Sequence, residues 1–258
     1  MLSKIVIGFA VLTLALGLSA SAAFSQTSEI KEKPPMYSYV ANWAIPRAQW
    51  AEMDKANAES AKILDKAIAD GTLVGYGDDE NLVHTVEGET HDGFWSAMSL
   101  AGLFKTLDLF YTGGNATLPV FESATKHWDE VLESRYYNWK SGSYKGAYTH
   151  VGAYKLKPDA PDDAVDTLSK NLVAPLLEKL LADGTIVEYE IDTAAIHTST
   201  PGYFLIVYIT PNAEGLDKVT AAVEAAIKAD PLGGTAFGSM TDYSGHRDEL
   251  LRTNVTWK

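Results

Sequence analysis

Two short segments carry residue types suited to proton chemistry, and they match each other. His127-Trp128-Asp129-Glu130 recurs as His246-Arg247-Asp248-Glu249, each followed by two apolar residues. Imidazole exchanges a proton near neutral pH, and a neighbouring carboxylate orients the ring and raises its basicity. On a strand, side chains alternate, so His127 shares a face with Asp129, and His246 with Asp248. That arrangement suits a His-Asp acid-base pair. On a helical turn, His and Glu three apart would share a face instead, a spacing that can also hold a metal ion. We take His127, Asp129, His246 and Asp248 as the candidate catalytic residues and expect no metal. The alternative is that each histidine satisfies a buried backbone group common to the fold.

Of the six histidines, His84 and His197 form a second matched pair, each followed by Thr, while His91 and His150 have no counterpart in the alignment. His84 and His197 are candidate ligand-binding residues, as are the aromatics Trp43, Trp95, Tyr148 and Tyr203. Tyr39, Tyr136, Tyr137, Trp139, Tyr154, Tyr208 and Trp257 add to a set that could line an apolar cavity for a planar or hydrophobic molecule, or simply pack a core. Several constellations are missing: G-x-S-x-G, HExxH, the P-loop and G-x-G-x-x-G. With no cysteine, thiolate nucleophiles and thiolate metal sites are excluded. Gly233-Gly234-Thr235 reads as a turn.

The elements that must position these residues are read from an internal repeat. Ile68-Ala69-Asp70-Gly71-Thr72-Leu73-Val74 recurs as Leu181-Ala182-Asp183-Gly184-Thr185-Ile186-Val187, with Tyr76 matching Tyr189 two residues on. Gly93-Phe94-Trp95 aligns with Gly202-Tyr203-Phe204 across a deletion of four residues, and Leu107-Asp108 with Leu216-Asp217. Each copy closes with Trp-Lys, at Trp139-Lys140 and Trp257-Lys258. The copies span 37–142 and 143–258. Each opens with an aromatic-rich strand, Tyr37–Trp43 and Tyr148–Tyr154. A helix follows, marked by Trp50, Met53, Ala61, Leu64 and Ile68 in the first copy and by Val165, Leu168, Leu172, Leu176 and Leu180 in the second. Pro175 should kink the latter, and Gly71 and Gly184 should end the two helices. Thr-Leu-Val and Thr-Ile-Val open a second strand, and a third begins at each Gly-aromatic pair. A second helix follows, with Leu216, Val219, Val223 and Ile227 as its buried stripe and Leu103, Leu107, Phe110 and Tyr111 as counterparts. After a loop, a last strand ends at Trp139 or Trp257. The order β-α-β-β-α-β is the ferredoxin-like unit, so the fold class is α+β.

On this order of elements the chain resembles the dimeric α+β barrel superfamily, which includes EthD-like, NIPSNAP and stress-response barrel proteins, cofactor-free monooxygenases and a haem-binding chlorite dismutase group. The resemblance implies that two ferredoxin-like units pair their sheets into a barrel, here as a fused tandem within one chain. A four-stranded sheet with helices on one face leaves the other uncovered, and exposing its aromatics would be costly, so pairing covers them. The aromatic residues together with this resemblance point first to a small-molecule-binding protein with an aromatic cavity; the alternatives are a cofactor-free monooxygenase-like enzyme using a cavity histidine as base, and a structural or stress-related barrel without a ligand. No cofactor is expected; haem, with a paired histidine as axial ligand, is the variant that the resemblance keeps open.

The N-terminus reads as a signal peptide over 1–23: Lys4, an apolar run from Ile5 to Leu18, then Ser19-Ala20-Ser21-Ala22-Ala23. A polar leader over 24–36 follows. The expected location is periplasmic or secreted, in a bacterium. Removing Lys4 leaves 20 basic against 34 acidic side chains, which argues against nucleic acid and, after cleavage, against anionic membranes as partners. The acidic residues are scattered along the sequence. The expected partner is a small hydrophobic or aromatic molecule, and the expected state a monomer or weak homodimer.

Overall fold

The computed structural model describes residues 30–83, 88–198 and 200–258. The segment read as a signal peptide, residues 24–29 of the leader, and His84-Thr85 lie outside the described residues.

The first repeat runs β1 (Met36–Trp43), α1 (Trp50–Ala69), β2 (Gly75–Asn81), β3 (His91–Ala97), α2 (Leu100–Thr112), a short α3 (Pro119–Glu122) and β4 (His127–Trp139). The second runs β5 (Gly142–Leu156), α4 (Ala164–Leu168), a π-helical turn over Ser169–Val173, α5 (Ala174–Asp183), β6 (Glu188–Ile196), β7 (Tyr203–Thr210), α6 (Ala213–Ala229), α7 (Pro231–Met240) and β8 (Thr241–Trp257). The two β-α-β-β-α-β units are therefore present, and each gains a helix in what the sequence reads as a loop. Gly233-Gly234-Thr235 lies in α7 and not in a turn; Asp230 accepts from the Gly233 N–H and caps the helix that Pro231 begins. The second strands start just after Thr-Leu-Val and Thr-Ile-Val.

The eight strands close into one barrel, ordered β1-β3-β2-β8-β5-β7-β6-β4. Within it, β4-β1-β3-β2 and β8-β5-β7-β6 are the two ferredoxin-like sheets. They join antiparallel through β2 with β8 and β4 with β6, so among the described residues no barrel strand is left with an open edge. Contacts repeated between the copies anchor each first helix on its sheet. The Tyr76 hydroxyl donates to Asp65 at 2.7 Å and the Tyr189 hydroxyl to Glu178 at 2.8 Å. Gly71 and Gly184 take the left-handed conformation that a glycine adopts without cost after a helix.

The pairing register corrects the sequence alignment in one stretch. Tyr76 pairs with Trp95 as Tyr189 pairs with Tyr208, and Ser99 caps α2 through the Gly102 N–H as Asn212 caps α6 through the Gly215 N–H. Trp95 therefore corresponds to Tyr208 and Leu103 to Leu216. The four-residue deletion is not there, and neither Gly93-Phe94-Trp95 with Gly202-Tyr203-Phe204 nor Leu107 with Leu216 is a structural match.

The outer faces of the sheets and the helices hold two apolar clusters, around Leu64, Trp95 and Leu103 in the first repeat and Leu180, Tyr189 and Phe204 in the second. The aromatics thus largely face the helices. Inside the barrel, one end is filled by Met36, Phe94, Tyr137, Ile209, Val255 and Trp257, whereas the middle is lined by carboxyl groups from β2, β3, β4, β6 and β8. The expectation that pairing would cover aromatic surface holds at that end alone. Of the stripe expected to be buried on α6, Val219 is buried, but Val223 and Ile227 remain 39% and 54% exposed, because they border an open groove.

Candidate functional site

Each repeat has a cavity between the outer face of its sheet and its helices. The larger, about 730 Å³, lies in the second repeat under the π turn, α5, α6 and α7. Its floor is β5, β7 and β8. Leu172, Leu176, Ile206, Val219 and Phe237 make much of it apolar, His150, Tyr154, Tyr208, His246 and Asp248 supply the polar groups of its floor, and Asn171, Thr220, Glu224 and Asp230 add polar groups from the helix side.

β8 keeps His246 and Asp248 on one face, as strand alternation requires. His246 Nδ1 lies 3.0 Å from the Ala153 carbonyl of β5, so it donates there and carries the proton. Nε2 is thereby left as the basic nitrogen, 3.3 Å from Asp248 Oδ2. The other oxygen of Asp248 is 3.3 Å from His150 Nε2, so one carboxylate stands between two imidazoles. The rings are held by stacking: His246 on Tyr154 at 4.4 Å between centroids and His150 on Tyr208 at 4.8 Å. Burial lowers the His150 pKa, a shift that the Asp248 charge opposes, and His150 Nδ1 is buried with no hydrogen-bond partner. Burial first, and then the Asp248 charge, pushes Tyr154 and Tyr208 each up to about 12, so both hydroxyls keep their protons.

The first repeat repeats the motif in a smaller cavity of about 230 Å³, which Trp43, Trp95, His127 and Asp129 all line. His127 Nδ1 donates to the Asn42 carbonyl at 2.9 Å, and Nε2 is 3.4 Å from Asp129 Oδ1. The ring stacks on Trp43 at 5.1 Å. Ala41 pairs with Asp129 as Gly152 pairs with Asp248, so Tyr39, two residues before Ala41, stands where His150 stands in the second repeat. Tyr39 stacks on Trp95 at 4.4 Å, and burial together with the nearby Asp129 raises its pKa. The first repeat therefore has one imidazole beside its carboxylate, and the second has two.

The structure brings together both His-Asp pairs, Trp43 and Trp95, but not the remaining sequence candidates. Tyr148 lies beneath the Arg252 guanidinium, at 5.3 Å, and lines neither helix-side cavity. Tyr203 borders the mouth of the barrel instead. His197 is exposed on the connection after β6, and His84 is outside the described residues. His150 was missed because its counterpart is a tyrosine; its even spacing from Tyr154 on one strand was the available signal. The helical alternative for the His-Asp segments, with its metal spacing, does not apply to these strands, and among the described residues no three acidic or imidazole groups converge as a metal would need. Haem would require an imidazole nitrogen free for iron and cations for its propionates. No Lys or Arg is among the described residues lining the groove to meet those propionates, so the groove does not fit haem.

No protein-family model matches the chain, and no curated protein does. Solved structures do. A structure described as a candidate monooxygenase from Lactobacillus acidophilus superposes with a TM-score of 0.66 at 12% identity, covering 87% of this chain and 97% of that one. Another so described, from Fusobacterium nucleatum, gives 0.66 at 8% identity, covering 88% and 95%. A chlorite dismutase from Candidatus Nitrospira defluvii matches at a TM-score of 0.48 and 12% identity, covering 85% of this chain and 90% of that one. At these identities the likeness is one of fold: the chain has the dimeric α+β barrel architecture, with both halves supplied by one polypeptide.

Proposed function

We propose that the second-repeat groove binds a flat, largely apolar molecule bearing an acidic hydroxyl or an enolisable CH2, and that His246 removes its proton. The observation that carries this reading is the state of His246. Its Nδ1–H is committed to a backbone carbonyl, and its basic Nε2 faces a carboxylate within an apolar groove. A proton delivered to Nε2 is held between imidazole and Asp248, so the charge created by deprotonation is compensated where it forms. The groove's volume lies in the usual range for a small-molecule site, about 300–1,000 Å³.

The anion so formed is electron-rich. An enolisable CH2 that reacts with dioxygen becomes C=O, one oxygen atom entering the product and the other leaving as water. This oxidation step draws its support from likeness of fold to structures described as monooxygenases, and such support is by analogy. Simple binding without catalysis is the second reading, favoured by the apolar walls. Export of the chain rests on the N-terminal sequence alone.

Titration with 2-naphthol near neutral pH tests the reading, because the naphtholate anion absorbs at longer wavelength than the phenol. The anion band should grow on binding to the wild type and be lost in His246→Ala, with circular dichroism unchanged. Binding that perturbs the neutral band alone, in the wild type, would leave a binding protein and remove the base.

A further inference from the structure

The barrel interior holds a second polar site that the groove does not use. β6 reads Glu188-Tyr189-Glu190-Ile191-Asp192; the apolar pair faces the helices, and the three acids face inward. Asp79 of β2, Asp92 of β3 and Glu130 of β4 converge on the same cavity, about 80 Å³, as does Glu249 of β8. It opens toward a mouth of about 160 Å³, with which it shares Glu130 and Asp192. Arg247, the cation at that mouth, lies 3.7 Å from Glu249.

Two of these acids have nothing to bind. Glu188 is 1% exposed and Asp192 0%, and all four of their carboxyl oxygens lack a hydrogen-bond partner. The Ser134 hydroxyl, next to Asp192, is directed at the Ile191 and Tyr136 carbonyls. An unpaired buried carboxylate is costly, so such a group is either protonated or awaits a cation. Burial raises the pKa of Asp79 to about 6 and of Glu190 to about 7, and holds Asp92, Glu188 and Asp192 well above the usual carboxylate range.

We propose that the barrel interior binds a linear aliphatic diammonium cation along the acidic row of β6. Its acids do not converge on a point, as a metal ion would need. They form a row, spaced about 6–7 Å apart along one face of a strand, which is close to the separation of the two ammonium groups of 1,4-diaminobutane. Glu188 and Asp192 stand two such steps apart, so one ammonium brings N–H donors to the partnerless oxygens of one of them while the other meets Glu190 between them, and the alkyl chain lies against the inward residues Leu205, Val207 and Ile209 of β7. Binding ionises the carboxyl groups, so protons leave as the cation enters.

Isothermal titration with 1,4-diaminobutane near pH 8, in two buffers of different ionisation enthalpy, tests this. Saturable binding with net proton release is expected, at least about tenfold tighter than for n-butylamine and weakened by a similar factor in Glu188→Gln/Asp192→Asn, while 2-naphthol binding in the groove is unchanged. Absence of diamine binding to the wild type overturns the proposal. So does equal affinity for n-butylamine, or a preference for calcium ions over the diamine. Because the two ligands occupy opposite faces of the sheet, failure here is distinguishable from failure of the proposed groove function.

Discussion

At the scale of the residue, Asp248 decides what His246 can do. An ionised carboxylate can only accept, so His246 Nε2 gains a proton to place between them; an amide can donate. Asp248→Asn is therefore expected to occupy the Nε2 lone pair with an N–H and to hold the imidazole neutral and blocked, by the same logic through which an Asp-to-Asn change strands a catalytic histidine in the wrong hydrogen-bonding state. The 2-naphthol anion band should drop at least about tenfold while total binding, followed by ligand fluorescence, changes little. An undiminished band would show that the carboxylate is a bystander. This much of the site was legible: the i, i+2 spacing of His and Asp on a strand already places them together. His150 was not, since its partner across the repeat is Tyr39, and only pairing register relates an imidazole to a phenol.

Elements explain why the two cavities differ. α1 is an unbroken helix, whereas Pro175 interrupts the matching helix of the second repeat. Proline has no N–H to give the carbonyl four residues back, and the chain answers with the π turn at Ser169–Val173. Asn171, Leu172 and Val173, in that turn, and Pro175 all line the larger groove. Pro175→Ala should let an ordinary α turn form and narrow the groove. The expected result is several-fold weaker 2-naphthol binding with a melting temperature no lower than that of the wild type, since proline inside a helix costs about 3 kcal/mol relative to alanine. Unaltered affinity would show that the groove's width has another source. The sequence announced a kink at this proline, but not its consequence. A kink's effect depends on what α6 and α7 do opposite it, and α7 was read as a loop because its glycines mask a helix held by caps at Asp230 and Pro231.

Across the whole molecule, the buried acids should dominate the response to pH. In the folded protein Asp79 and Glu190 titrate near 6 and 7, above ordinary carboxyl groups, so between about pH 4 and 7 the folded state holds protons that the unfolded chain has released. Their contribution is present at low pH and is lost as pH rises through those values. His150, with its pKa lowered, runs the other way: its contribution is present above about 6.5 and falls as the medium is acidified. The acids outnumber it. In amine-free buffer the melting temperature should fall by roughly 5–10 °C from about pH 5.5 to about pH 8, with a shallower slope in Glu188→Gln/Asp192→Asn. A melting temperature that rises over this range would contradict the assignment of protonated interior carboxyls. The duplication and the α+β order were readable from the sequence, yet this interior was not. Acid alternating with apolar residue is the pattern of a strand with one face in water, and it is closure of the barrel by the other repeat that turns the wet face inward.

Closure of all eight strands within one polypeptide also changes how the protein can vary over generations. In a barrel assembled from two identical chains, every substitution strikes both cavities at once, so neither can be altered while the other is kept. Fusion removes that constraint. One cavity carries Tyr39 under an unbroken helix and is narrow, while the other carries His150 under a helix interrupted at Pro175 and is wide. Selection was left free to treat the two halves of a symmetrical scaffold as separate inheritances.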